Sequence, residues 1–201
     1  MADDTEDGLL GEKQVMKPPK EPPWWHILVF PVWSIFMALY AAVPGGTWTW
    51  FSWHPFCMVF AFVSCTFFAV LLKKRGGYAN TKVHGYVMAV ALTSAAFGYY
   101  VIYSNKNILG KIHLTSWHSW IGLFALLSYL SLFLVGLLGL HPDVGLRNKS
   151  QDLRAFHKWA ARLAIVASWG TSSLAFYGMH ASAFDRLAFF LPLLAATAYI
   201  L

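Results

Sequence analysis

Residues 54–75 read HPFCMVFAFVSCTFFAVLLKKR, so that an uncharged, largely apolar run over 55–72 lies between a histidine and three consecutive basic residues. At about 1.5 Å of rise per residue, a helix of this length spans about 27 Å, close to the roughly 30 Å hydrocarbon core of a bilayer. The stretch therefore predicts a membrane-spanning helix with a histidine at its start and positive charge at its end.

Five further apolar runs of similar length bring the number of predicted helices to six. They cover residues 24–43, 83–103, 117–140, 156–177 and 183–201. The composition agrees, because 58% of the 201 residues are hydrophobic and the mean hydropathy is +0.52, which is too apolar for a soluble domain of this length. We therefore predict an all-α membrane protein in which residues 24–201 form one domain of six transmembrane helices.

The basic residues predict how the helices are oriented. By the positive-inside rule, the side that carries most Lys and Arg faces the cytosol. Three basic residues lie on the other side, namely Lys106, Lys111 and Arg186. Twelve lie on the predicted cytosolic side: Lys13, Lys17, Lys20, Lys73, Lys74, Arg75, Lys82, Arg147, Lys149, Arg154, Lys158 and Arg162. The net charge of +6 thus reflects topology and gives no indication of nucleic-acid binding.

The segment before the first helix is polar. Residues 1–23 begin with acidic residues and end in a stretch rich in Lys and Pro, a composition that cannot bury enough apolar surface to fold. We predict a disordered cytosolic tail over 1–23. The amino terminus and the loops after helices two and four would then share the cytosolic side.

Four of the eight histidines follow one pattern, since each lies near the start of one of helices two to five. Successive helices run antiparallel, so His54 and His118 are expected level with each other at the non-cytosolic side. His84 and His157, which are expected to open helices three and five, would be level at the cytosolic side. The alternation of helix direction thus predicts two stacked histidine pairs. A polar imidazole near hydrocarbon indicates a function for each pair.

Such pairs are typical of haem ligation in a helical bundle. Two imidazoles from facing helices fill both axial positions of the iron, which leaves the haem able to transfer electrons but not to bind a substrate. We therefore predict two haem b groups, each held by one of the two histidine pairs. The two layers would lie about 25 Å apart along helix three, estimated from the helical rise.

Other chemistry is less well supported but stays open. No Asp or Glu occurs between Glu21 and Asp143, so the oxygen ligands of carboxylate-bridged di-iron, magnesium or calcium sites are missing there. An all-histidine zinc site is possible, although zinc requires ligands that converge tetrahedrally. A transporter or structural bundle without haem, in which each histidine is only interfacial, is the remaining alternative.

Four short motifs around these histidines resemble the cytochrome b561 family. They are FSWHP at 51–55, TKVHG at 81–85, SWHSWIG at 116–122 and RAFH at 154–157. Within that family, FSWHP and the GKIHL stretch at 110–114 are most similar to the cytochrome b561 domain-containing proteins 1 and 2. The resemblance implies a six-helix bundle in which helices two to five form a four-helix di-haem core, a homodimer, and electron transfer from cytosolic ascorbate to a ferric chelate or monodehydroascorbate on the other side. We expect the protein in an endomembrane, such as the endoplasmic reticulum or a vesicle.

The resemblance also implies site residues for the electron donor. Carried over by position, Lys82 would contact ascorbate on the cytosolic side, although the spacing in Lys82-Val83-His84 is one residue shorter than in the animal members that use ascorbate. Arg75, Arg154 and Lys158 flank the same side and would attract the ascorbate monoanion. The expected activity is therefore that of a transmembrane ascorbate-dependent reductase.

On the non-cytosolic side, His113 is the candidate for contact with the acceptor or for proton exchange, since imidazole can bind metal complexes and carry protons. A second hypothesis from a different class stays open. The chain would then be a haem-anchoring membrane subunit that passes electrons to a separate partner protein and has no substrate site of its own.

Overall fold

The computed structural model describes residues 25–43, 45–179 and 182–200, and every regular element within them is helical. Six helices follow one another along the chain: α1 (Trp25–Ala42), α2 (Trp53–Arg75), α3 (Tyr78–Ile108), α4 (Trp117–Leu140), α5 (Gln151–Gly178) and α6 (Ala183–Ile200). The predicted six-helix, all-α fold is confirmed. The tail predicted over 1–23 lies outside the described residues.

Four of the six helices are long and apolar enough to cross a membrane, namely α2, α3, α4 and α6. In α1, the apolar stretch Leu28–Ala42 is somewhat shorter. Helix α5 is long, at 28 residues, but its first half carries several charged side chains. The chain is thus of the multi-pass membrane class.

Helices α3 and α5 begin earlier than their apolar runs. Helix α3 starts at Tyr78 instead of residue 83, and α5 starts at Gln151 instead of residue 156. His84 and His157, which were expected to open these helices, are each the seventh residue and so lie nearly two turns inside. Hydropathy did not reveal the extra turns because their residues are polar.

A two-residue turn connects α2 to α3. Gly76 and Gly77 have φ angles of 72° and 85°, in the region that only glycine adopts without strain. The turn reverses the chain directly, so that α2 and α3 form an antiparallel hairpin. Helices α4 and α5 form a second hairpin, and Ser116 and Ser150 cap their amino termini by accepting backbone N–H bonds.

Two buried apolar clusters hold the bundle together, and α2 and α5 contribute to both. One cluster joins them to α1 and α6 through residues such as Phe67, Trp169 and Phe189. The other joins them to α3 and α4 through small and aromatic residues that include Phe62 and Ala95. Helices α2 to α5 therefore form a four-helix core, and α1 and α6 pack against its α2 and α5 side.

The middle of α2 is π-helical over Phe60–Cys65, a geometry that disturbs the regular pattern of backbone hydrogen bonds. Thr66 donates from its hydroxyl to the carbonyl of Ala61 at 3.1 Å, and the indole of Trp169 donates to the carbonyl of Phe62 at 2.7 Å. The hydroxyl of Thr66 also lies 3.1 Å from that of Tyr129. The side chains of Thr66, Tyr129 and Trp169 are thus hydrogen-bonded within the bundle.

Candidate haem-binding site

The rings of His54 and His118 face each other across the core, with centroids 6.3 Å apart and planes at 87°. The spacing is informative, because an ion bound between two imidazoles separates their centroids by roughly 6 Å, from two metal–nitrogen bonds of about 2 Å and the ring radii. The first histidines of α2 and α4 are therefore close enough to share one metal centre.

Three of the four histidines are anchored to a neighbouring helix through Nδ1. A carbonyl oxygen only accepts, so Nδ1 carries the proton and donates, which leaves Nε2 free to bind a metal. These contacts join His54 to Gly98, His118 to Thr171 and His84 to Ala69, at N···O distances of 3.0, 3.1 and 2.9 Å. Such a bond fixes the ring orientation and raises the basicity of the ligating nitrogen.

The two hairpins contain equivalent anchoring carbonyls. Gly98 follows His84 by fourteen residues on α3, and Thr171 follows His157 by fourteen residues on α5. Each of these helices thus carries one histidine and, about 21 Å along its axis by the helical rise, the carbonyl that orients the histidine of its hairpin partner. This rise of about 21 Å from histidine to anchoring carbonyl is shorter than the roughly 25 Å that we estimated from the sequence for the two layers.

The second pair, His84 on α3 and His157 on α5, lies at the opposite end of the core. His157 packs beside α4, where a Cβ built on Gly136 would lie 3.5 Å from its Cε1. Its Nδ1 is buried and has no hydrogen-bond partner among the described residues. This histidine differs from the other three in having a free Nδ1.

One glycine in each hairpin allows the helices to approach closely near the first histidine. A Cβ built on Gly98 would lie 3.1 Å from the Cβ of Cys57 on α2, and one built on Gly122 would lie 3.3 Å from Cγ2 of Thr171 on α5. These contacts are tighter than ordinary side-chain packing. The close approach brings each anchoring carbonyl within reach of its histidine.

The donor set fits a haem better than a discrete metal ion. Within residues 25–43, 45–179 and 182–200, no three His, Cys, Asp or Glu side chains converge on one point, whereas zinc in proteins takes three or four such ligands. Two imidazoles with free Nε2 atoms supply what the axial positions of a haem require.

At the end of the core that holds His84, the predicted donor residue Lys82 is paired. Its Nζ lies 3.0 Å from Oδ2 of Asp143, in the loop between α4 and α5. The hydroxyl of Tyr78 donates to the other oxygen of the same carboxylate, and Nζ of Lys82 lies 5.2 Å from the centre of the Tyr78 ring. Lys82 is therefore partly neutralised by an acidic residue that the sequence interpretation did not connect with it.

Lys73 is a cation at this site that the sequence interpretation used only for orientation. Its Nζ donates to Oγ1 of Thr81 at 2.8 Å, and Thr81 lies three residues before His84 on α3. The contact depends on the tight turn after α2, which folds the end of that helix back towards α3. In the sequence, the basic run at 73–75 was the feature that could have identified Lys73 as a site residue.

The other predicted donor residues are exposed at the same end of the bundle. Arg154 donates from its guanidinium to the backbone carbonyl of Asn148. Arg75 and Lys158 are exposed to solvent. This end of the core therefore carries a cluster of positive charge, which favours anions.

At the opposite end, His113 lies in the loop between α3 and α4 and is held by α3. Its Nε2 is 2.8 Å from Oδ1 of Asn107, and its ring stacks on Tyr103 with centroids 4.6 Å apart. The next residue, Leu114, has a φ angle of 53°, a strained conformation for a residue with a branched side chain. The loop thus presents His113 in a defined orientation.

Comparison with known proteins bears on this arrangement of histidines. The profile of the family described as eukaryotic cytochrome b561 matches residues 53–185, which is two thirds of the chain and includes all four histidines.

Individual relatives match only part of this chain. The human protein named "Probable transmembrane reductase CYB561D1" is 35% identical over 86 residues, which cover 39% of this chain and 38% of the relative. Its mouse counterpart of the same name is 29% identical over 64% of this chain and 60% of its own length. The bovine "Transmembrane reductase CYB561D2" is 33% identical over 47% of this chain and 45% of its own length. The matches thus span about 40 to 60% of these relatives. On the profile match and the spacing of its histidines, the chain belongs to the cytochrome b561 family.

Proposed function

We propose that this protein is a transmembrane reductase that passes electrons from cytosolic ascorbate, through two haem b groups, to a ferric chelate or monodehydroascorbate on the other side of an endomembrane. The amino terminus would be cytosolic, and the resemblance to the family favours a homodimer. His84 and His157 would ligate the haem on the cytosolic side, and His54 and His118 the haem on the opposite side. Each pair of histidines would hold one haem, which would supply a one-electron carrier.

The observation that carries the proposal is the repeated anchoring of the histidines. In both hairpins, the first histidine donates from Nδ1 to the carbonyl fourteen residues beyond the second histidine. This arrangement orients Nε2 before any ligand binds, so little reorganisation is needed when a metal arrives. Histidine pairs at two levels of the four-helix core favour electron transfer across the bilayer over a site that holds a single cofactor.

The residues at each end would handle the substrates. On the donor side, Lys73, Lys82 and Arg154, with Arg75 and Lys158 around them, would attract the ascorbate monoanion, which loses one electron and one proton. On the acceptor side, His113 would contact the acceptor or supply a proton when monodehydroascorbate is reduced. No step requires a side chain of the protein to change its oxidation state.

Difference spectroscopy on the purified protein tests the proposal. Ascorbate should reduce both haems, as judged by the α and Soret bands, and added ferric chelate should reoxidise them. If dithionite reduces both haems but ascorbate reduces neither, ascorbate is not the donor and the haem-anchoring subunit becomes the better account. A protein purified without any Soret absorption would contradict haem binding altogether.

A further inference from the structure

The carboxylate of Asp143 occupies the donor side of the core. One oxygen forms an ion pair with Lys82, and the other accepts from the hydroxyl of Tyr78. This is the one ion pair among the residues that the structure describes. These two donors hold the pKa of Asp143 below its ordinary value, so the carboxylate is charged at neutral pH.

The loop that carries Asp143 is fixed on the end of α4, which places the carboxylate independently of any ligand. The backbone N–H of Asp143 lies 3.2 Å from Nδ1 of His141. Three further backbone N–H groups donate to carbonyls at the base of the loop: Gly145 to His141, Leu146 to Leu138 and Arg147 to Gly139. A Cβ on Gly145 would lie 2.6 Å from backbone atoms of His141, so the turn requires glycine.

We propose that Asp143 is a built-in competitor of the anionic donor, whose carboxylate must leave Lys82 before the donor anion can bind there. The inference rests on the proposed donor site. A carboxylate and a monoanionic enediol present the same chemistry to an ammonium group, namely negatively charged oxygen within hydrogen-bond distance. Asp143 is thus a specificity-determining residue that weakens the binding of anions to Lys82.

The exchange is feasible because the pair is accessible. The side chains of Lys82 and Asp143 are 31% and 39% exposed, and a solvent-exposed ion pair of this kind contributes little net stability. A donor anion therefore has access to Lys82 and displaces a weak partner. The same carboxylate returns to Lys82 when the oxidised donor departs, so the positive charge is never left unpaired.

The test compares Asp143→Asn with wild type, using ascorbate as donor and a ferric chelate as acceptor. Asparagine keeps the shape and can still accept from Tyr78, but it lacks the charge. The KM for ascorbate should fall about two- to fivefold with little change in kcat, as expected for an exposed charge pair. With durohydroquinone, an uncharged reductant, the two proteins should have the same KM.

Asp152→Asn is the matched control, because it removes one negative charge from the first turn of α5 at the same end of the core. Its KM for ascorbate should change less than that of Asp143→Asn. In a Lys82→Gln background, Asp143→Asn should no longer lower the KM. Asp143→Ser serves as the second variant if the asparagine variant does not retain haem.

An unchanged or increased KM in Asp143→Asn would show that Asp143 only fastens the loop to α3, and the inference would be wrong. An equal decrease in Asp152→Asn would show a general charge effect, with the same consequence. Neither result contradicts the proposal that ascorbate is the electron donor, as long as ascorbate reduces the wild-type haems. If ascorbate fails to reduce the wild type, the proposed function itself is wrong.

Discussion

The carbonyl oxygen of Gly98 lies 3.0 Å from Nδ1 of His54, at a point where α2 and α3 are in close contact. A Cβ at position 98 would lie 3.1 Å from the Cβ of Cys57 and 3.4 Å from the carbonyl oxygen of His54 itself. Because the Cβ of Cys57 is attached directly to the backbone of α2 and cannot move aside like the end of a flexible side chain, the orientation of His54 depends on the absence of a side chain at position 98.

Gly98→Val should therefore separate α3 from α2 and remove the anchor of His54. We expect the haem content to fall from two to about one per chain, measured as pyridine haemochrome against protein. Gly170→Val is the matched control, since a Cβ at this helical position meets nothing within 4 Å, and it should retain both haems. Equal haem loss in the two variants would show that valine disturbs the helices in general.

Removal of histidines tests the pairing. His84→Ala and His157→Ala should each lose the same haem, and the double variant should lose no more than either single variant, because one axial ligand does not hold a b haem securely. Redox titration identifies which of the two haems is missing. If His84→Ala instead lost the same haem as His54→Ala, the pairing across the bundle would be wrong.

The free Nδ1 of His157 predicts an effect on reduction potential. Gly136→Ser would place a hydroxyl near this ring, because a Cβ at position 136 lies 3.5 Å from Cε1 of His157. A hydrogen bond from Nδ1 makes the imidazole a stronger electron donor and favours ferric iron. The midpoint potential of one haem should shift downward in Gly136→Ser and stay close to wild type in Gly136→Ala, which adds similar bulk without an acceptor.

Tyr129 predicts an effect on stability. Its hydroxyl lies 3.1 Å from that of Thr66 and 3.3 Å from that of Ser168, so Tyr129→Phe leaves buried groups with one partner fewer. The loss should be about 1 kcal/mol, or a decrease in Tm of about 2–4 °C. Tyr86→Phe, at an exposed position, should have no effect. Soret absorbance followed during heating measures both.

The sequence predicted how the histidines pair but not their surroundings. Four histidines at the starts of antiparallel apolar runs imply two layers, because the alternation of helix direction is fixed by the membrane. The anchoring of His118 by Thr171 could not be predicted, since it depends on which residues of α4 and α5 meet. That contact follows from close packing, for which Gly122 was only a weak signal.

The sequence did not reveal the first turns of α3 and α5 or the ion pair between Lys82 and Asp143. Hydropathy detects apolar residues, so the polar first turns of α3 and α5 were assigned to loops, and His84 was placed too near the helix end. The ion pair of Lys82 joins residues 61 positions apart. It forms because the loop after α4 folds back on its own helix, which depends on backbone geometry at Gly145.

Electron transfer across a sealed membrane is the sharpest test of the proposed function. Proteoliposomes would be loaded with a ferric chelate, and ascorbate would be added outside to protein molecules whose Lys82 face is outward. We predict reduction of the enclosed iron at a rate proportional to the protein content, with loss of this rate in His54→Ala and in His84→Ala. Iron that stays ferric inside vesicles whose haems ascorbate has reduced would contradict transfer across the bilayer.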